Sequence, residues 1–353
     1  MELCVLNTER EAVSIVDVYE SMIWTDRFYK CGDFELYTTM NSEIRNKLKK
    51  NYYLTNSDSE HAMIVEDFVI KSDAEDGNYI TITGESLEAI LKRRIVWGLR
   101  VITGNFQNGI ETLLNENVIS PSDSKRKIDN FIFKKSDDTQ ITSLTIETQF
   151  TGDNLYEAIQ SMCEEKGVGF KITFDENKNF VFELYAGTDR SYEQTEVPYV
   201  VFSPNFENLI NSNYTESNST LKNVTLIGGE GEGSERRYAS TGDTRVSGLD
   251  RRELFTDARD ISSDVDGETI SDSEYTALLV QRGKEKLAEN TQTMAFEGET
   301  ETTLMYRYGE HFYNGDIVQI EDSYGNSAKV RVVEIVMSDD TNNTSIYPTF
   351  TTL

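Results

Sequence analysis

Four glycines, Gly228, Gly229, Gly231 and Gly233, run into Ser234 and the pair Arg236–Arg237 in the stretch LIGGEGEGSERRY. Glycines followed by a hydroxyl and two cations are the residue types of a loop that cradles phosphate on backbone N–H groups. That chemistry also requires a lysine after the last glycine and a helix opening behind it. Ser234 stands where the lysine belongs, the flanking residues read as strands, and Glu230 and Glu232 repel phosphate. The stretch predicts a connection between two strands, not a nucleotide site.

Other chemistry is equally thin. In SSDVDGE, Gly267 at the sixth position of a calcium loop would put Asp264 and Asp266 at the third and fifth. Ser262 and Ser273 would then fall at the first and twelfth, where Asp and Glu are needed. A solvated turn before a helix fits better. Paired carboxylates could hydrolyse glycosidic bonds, but among 62 Asp and Glu no pair stands out. His61 and His311 are the only histidines, and no Ser-His-Asp or Cys-His arrangement emerges. Cys4, Cys31 and Cys163 lack metal-ligand spacing and suit free thiols. Asn213, Asn218 and Asn223 begin glycosylation sequons, which mean little without a secretory signal. No catalytic, cofactor-binding or metal-ligating residue is assigned, and neither a cofactor nor an enzyme is expected.

Lys and Arg total 34 against 62 acids, a net charge of −28 in 353 residues. Such a surface repels a phosphate backbone, so DNA could pass it without sticking. The start, MELCVLNTEREA, has no long apolar stretch, and no run approaches the ~20 apolar residues of a membrane span.

The elements predict a mainly β, α+β chain. Residues 12–19, 34–38, 63–71 and 79–83 are β-branched and aromatic, hence strands. In GESLEAILKRRIV, Leu87, Ile90, Leu91 and Ile95 predict one helix face, with Lys92, Arg93 and Arg94 in its last turns. Residues 110–117 predict a short helix ahead of Pro121, and 131–135 and 144–148 predict strands. TGDNLYEAIQSMCEEKG predicts a helix burying Leu155, Ala158, Ile159, Met162 and Cys163 and stopping at Gly167. VGFKITF and FVFELYA, joined by DENKN, predict a hairpin. Further on, residues 221–227 and 236–240 predict strands around the Gly-rich loop. Ser271 and Glu274 form a capping box that opens a helix carrying Tyr275, Leu278, Leu279 and Leu287 inward to near Asn290. Strands follow at 293–297, 317–321, 328–337 and 346–351, with turns at Asn314-Gly315 and Tyr324-Gly325-Asn326.

These stretches also carry a resemblance. GEGEGSERRY, SGLDRRELFTDARDIS and YTALLVQRGKEKLAE, with GESLEAILKRRIV, NLYEAIQSMCEEKGVGFKI and FYNGDIVQIED in the same order, resemble the tail hub proteins of siphophages and related prophages. These are the structural part of Tal-type tail-associated proteins, related to contractile-tail baseplate hubs. The resemblance implies two tube-type antiparallel β domains, each with a packed helix, and a small α/β domain between them. The boundaries would be 1–97, 98–198 and 199–353. It implies a homotrimer at the virion tail tip, in which two tube-like domains per subunit imitate a ring of six. Such a trimer would close the tail tube, touch the distal tail ring and the tape measure, carry tip, fibre or receptor-binding proteins, and let DNA through its channel. Relatives often continue into a peptidase, hydrolase or receptor-binding region. None is expected here, because the last β domain runs to Leu353. The rival readings are a tail-tip cell-wall hydrolase, which a zymogram would reveal, and a carbohydrate-binding receptor protein, which would expose aromatic clusters in loops.

Overall fold

The computed structural model describes residues 1–73, 77–265, 268–299, 305–323, 327–341 and 343–353. The fold is α+β, mainly β, and its largest element is a 13-stranded sheet. The amino-terminal strands are β1 (Leu3–Leu6), β2 (Ala12–Val16), β3 (Ser21–Arg27), β4 (Asp33–Thr39), β5 (Tyr53–Asn56), β6 (Ala62–Asp73) and β7 (Gly77–Ser86), with a short helix α1 (Ser42–Lys47). Next come β8 (Leu99–Asn105), α2 (Phe106–Leu114), β9 (Phe131–Lys134), α3 (Thr139–Thr142), β10 (Thr145–Thr151), α4 (Leu155–Lys166), β11 (Gly169–Phe174) and β12 (Phe180–Tyr185). The rest comprises β13 (Val201–Phe202), β14 (Ile210–Ser217), β15 (Val224–Gly228), β16 (Tyr238–Gly242), β17 (Glu253–Asp257), β18 (Asp264–Val265), β19 (Glu268–Thr269), α5 (Asp272–Ala288), β20 (Thr293–Glu299), β21 (Ile317–Glu321), β22 (Ser327–Asp340) and β23 (Thr344–Thr352).

The large sheet runs β14-β20-β23-β22-β3-β4-β7-β6-β5-β1-β2, with β21 on β22 and β13 on β21 off this path. Its seam is β3 against β22, antiparallel, with Trp24 opposite Met337. Strands from the two ends of the chain therefore share one core: Leu3, Met22, Trp24, Leu36 and Ile82 pack with Val330, Val332, Ile335, Met337 and Phe350. Full burial of each such side chain contributes about 1.5–3 kcal/mol. At the seam Arg27 bridges Asp33 and Glu334, both at 2.5 Å, and the Met1 amine pairs with Asp339.

The middle of the chain forms a second core. The α4 helix is capped by the Asn154 side chain, ends at Gly167 with φ 67°, and buries the five side chains expected of it. It packs with the β11–β12 hairpin, to which β9 adds in parallel. A third, small core lies between α5 and the sheet β16-β15-β17, built from Ile227, Ala258, Ile261, Tyr275, Leu278 and Leu279. Both halves of the capping box form at Ser271 and Glu274. Arg282 ties this layer to the middle one, donating to the Gln149 carbonyl at 2.9 Å and to Asp260 at 3.0 Å.

Three expectations change. Residues 87–95 do not form a continuous helical face: Leu87–Arg93 is a 3-10 helix, Arg94 turns extended at φ −131°, and Ile95 is left 41% exposed. The periodicity was real for Leu87, Ile90 and Leu91, which are buried, but the chain leaves the helix to bridge to Asn154. Strands β1, β3, β5, β8, β13, β14, β17, β18 and β19 form where none was expected. Finally, the helix α5 and the Gly-rich hairpin pack on each other rather than on the large sheet. The Tyr324-Gly325-Asn326 turn lies outside the described residues, as do Asp266 and Gly267 of the calcium-loop pattern.

Candidate functional site

The Gly-rich loop joins β15 to β16 as an antiparallel hairpin, as its flanks predicted. Its two arginines and the Glu230 N–H are taken up within the protein. The Glu230 N–H donates to the Tyr275 hydroxyl at 2.8 Å, and that hydroxyl donates to the Ile261 carbonyl. Arg236 donates to the Gly228 and Gly229 carbonyls and to Asp257. Arg237 lies 3.9 Å from the Tyr275 ring centre and pairs with Glu230 and Asp272. A Cβ on Gly229 would stand 2.4 Å from the Tyr275 hydroxyl oxygen, and Gly231 holds φ 94°. The glycines thus serve close approach and an unusual backbone angle. The nearby α5 N-terminus carries its own capping box, which takes up the Ser271 and Glu274 N–H groups.

Of the calcium-loop residues described, the Ser262 hydroxyl accepts from the Asp264 N–H, and Ser273 sits inside α5 against Ser271. Among the described residues no cluster of three His, Cys, Asp or Glu side chains could hold a metal. The Asn223 amide bonds to Asp250 and Arg252 backbone, a structural use of that sequon, while the Asn213 side chain lies outside the described ones. Lys92 pairs with Glu85 and Arg93 with Glu66, and Arg94 donates to the Arg126 carbonyl, so the basic run is absorbed by the fold.

One constellation was not legible beforehand. Asp26 on β3, His61 before β6 and Glu88 in the 3-10 helix meet in the interior, at 0%, 5% and 0% exposure. Asp26 accepts from Trp24 Nε1 at 2.9 Å and from Ser59 Oγ at 2.7 Å. Glu88 Oε1 accepts the Ile172 N–H of β11 at 2.6 Å and lies 3.4 Å from His61 Nδ1, an ion-pair distance without hydrogen-bond alignment. Burial alone would lower the His61 pKa, but Asp26 and Glu88 together raise it to about 9. Burial pushes Asp26 up against the pull of His61, whereas His61 and hydrogen bonds hold Glu88 below its ordinary value despite burial. A charged imidazole between two carboxylates is no general base at neutral pH. Burial pushes the Cys31 thiol up to about 12, so it is not an activated nucleophile. The cluster instead binds the large sheet to the middle layer through β3, the 3-10 helix and β11. A cleft of about 410 Å³, lined by Glu60, Lys171, Tyr185, Tyr308 and Asn314, opens beside it.

Strands from both chain ends are thus fused at one seam and clamped to a middle layer. A model of Siphovirus ReqiPepy6 Gp37-like proteins matches residues 2–350. The chain belongs to that family. Solved structures extend the likeness over the whole fold. The 43 kDa tail protein of prophage MuSo2 from Shewanella oneidensis is 13% identical, with 100% of this chain and 98% of that one covered and a TM-score of 0.60. Prophage tail protein gp18 from Listeria monocytogenes EGD-e is 12% identical, covers 99% and 94%, and gives 0.57. The tail protein from Neisseria meningitidis MC58 is 11% identical, covers 99% and 95%, and gives 0.58. At these identities the likeness is one of fold. No curated protein matches the sequence. The siphophage family resemblance read from the sequence holds across the chain, whose fold is that of these prophage and bacterial tail proteins.

Proposed function

We propose that this Gp37-like protein is the hub of a siphophage or prophage tail tip. Three copies surround one axis and close the tail tube; the distal tail ring and the tape measure lie on one side, and tip, fibre or receptor-binding proteins on the other. The units are 1–97, 98–198 and 199–353, and the first and last supply the tube-like parts. The observation that carries this reading is the β3–β22 seam, which sets strands of the two chain ends side by side in one sheet. Two β units per chain, repeated three times, offer six near-equivalent positions to a sixfold tube. A repeated heterologous contact closes such a ring. The channel wall is acidic or neutral, in keeping with the net charge of −28, so DNA slides past without phosphate contacts. The hub has no lytic or nucleotide-hydrolysing activity of its own.

A reconstruction of the tail tip tests the reading. Three copies around the axis, both chain ends in one ring and a wall that is not basic are expected. Two or six copies, or a strongly positive wall, would overturn it.

A further inference from the structure

Helix α5 meets the middle layer through polar side chains, and one of them does an unusual job. Gln281 Nε2 on α5 donates to Glu165 Oε2 on α4 at 3.2 Å and to Glu285 Oε1 on α5 at 3.3 Å. A single amide therefore holds two carboxylates, one from each helix, whose side chains are only 10% and 3% exposed. Each has a cation on its own helix. Lys166 lies 2.8 Å from Glu165, but Arg282 Nε stands at the longer distance of 3.6 Å from Glu285. Arg282 is also shared: it bonds Asp260 at 3.0 Å and feels the charge of Asp153. On β10 the Thr148 hydroxyl faces Glu285 without hydrogen-bond alignment. Glu285 is thus the less well matched of the two carboxylates.

A second like-charged pair lies along the same gap. Glu164 on α4 faces Glu289 on α5. Against that repulsion stand Lys30, which follows β3, and Lys286 on α5, while Gln160 Nε2 on α4 donates to Glu164 at 3.2 Å. Both pairs border one cleft of about 1020 Å³, which runs between α4, α5 and strands β22 and β23. The cleft leaves the two helices room to approach, and packed helices move by small sliding steps. Carboxylates crowded together away from water disfavour their own charge. Burial pushes Glu285 up, with Glu165 adding to it, and burial pushes Glu164 up, with Glu289 adding to it.

We propose that these pairs form an acid-closed latch: Glu285 and Glu164 take protons from mildly acidic solution, the repulsion across the gap falls, and α5 moves onto α4 so that the cleft narrows. Glu165 and Glu289 keep their charge on Lys166 and Lys286, and Arg282 keeps Asp260 and the Gln149 carbonyl. The sign follows from linkage. Both carboxyls titrate above the ordinary 4.5 in the packed arrangement, so their contribution to it is complete below 4.5 and is lost as pH rises through the raised values. The latch lies within one chain and does not rest on the assembly proposed above.

Spin-label distances on the full chain test it. Cys4→Ser removes the partly exposed native thiol, while Cys31 and Cys163 are buried and stay. Glu157→Cys on α4 and Lys284→Cys on α5, both exposed and outside the two pairs, carry the labels. The distance between them should shorten from pH 8 to pH 5, with a midpoint above 4.5. Glu164→Gln with Glu285→Gln copies the protonated state; it should keep the short distance at pH 8 and lose the response to pH. If that variant fails to fold, Glu289→Gln, at an exposed position, takes its place. It removes a charge that raises Glu164 and should move the midpoint to lower pH. A distance that is constant, or longer at pH 5, overturns the proposal. So does a response that survives in the double variant, since that would come from general loss of charge on an acidic chain. An unmoved midpoint in Glu289→Gln does the same.

Discussion

Two clusters in this protein mix charged with aromatic side chains, and they have opposite surroundings. In the first, Trp24, Asp26, Ser59, His61 and Glu88 are closed off by three packed elements, and every charge faces an opposite one. In the second, Arg236 lies between Tyr238 and Phe255 on a sheet face with nothing over it. The same residue types are enclosed by the fold in one place and lie at its surface in the other, where Arg236 is still paired within the chain, to Asp257. Burial decides how much each pairing is worth: a charge removed from water must be matched inside the chain, whereas a pair at the surface is screened by solvent.

That comparison can be broken by substitution. Glu88→Ala leaves the His61 charge buried beside Asp26 alone and frees the Ile172 N–H; loss of one partner from such a pair costs about 3–5 kcal/mol, read as a drop in urea midpoint. Trp24→Ala, at the seam, should cost a similar ~3–5 kcal/mol through cavity formation. Either variant with near wild-type stability would show that the first cluster does not hold the layers together.

Within the Gly-rich hairpin, Gly231→Ala should cost about 1–2 kcal/mol, because a Cβ at φ 94° would also stand 2.5 Å from the Glu235 carbonyl oxygen. Gly233→Ala, with open space around its Cβ, should cost less. Equal losses, read from thermal melts, would contradict the role given to close packing there. Ser271→Ala should cost about 1 kcal/mol by opening the α5 cap. Phe255→Ala, in the second cluster, should change the stability of the single chain by no more than about 0.5 kcal/mol. A large loss would mean that the bare face is part of the core.

Acidity sharpens the contrast further. His61 titrates at about 9 when folded against an ordinary 6.5, so the stability it contributes is complete below pH 6.5 and is lost as pH rises to about 9. The raised Asp26 works in the same direction, since its buried charge is penalised at higher pH. Glu88, held low, contributes stability above its ordinary 4.5 that is lost only as the solution turns acid. Urea midpoints should therefore fall between pH 6.5 and 9, and His61→Gln should flatten that slope. A midpoint that rises over this range would show that His61 is not held charged by its two carboxylates.

How much of this was legible follows from the range of the interactions. The α4 helix, the β11–β12 hairpin, the Ser271–Glu274 cap and the strands around the Gly-rich loop rest on rules that act over a few residues, and each could be read directly. Strand β3 could not. Its sequence, SMIWTDR, carries two charges, and its pairing partner β22 lies some 300 residues along the chain. The same distance hid the Asp26–His61–Glu88 cluster: no local spacing relates three residues that only the sheet and the 3-10 helix bring together. The row on β16 and β17 was half legible. Alternation puts Tyr238 and Ser240 on one face, but which face stays bare depends on where α5 lands.

The central claim is that this chain assembles in threes around one axis. Native mass measurement of the purified protein, alone and with the proposed distal tail ring partner, tests it most directly. A species of three chains of 40.2 kDa each is the result the account predicts. A single chain, a pair or six chains under both conditions would contradict it.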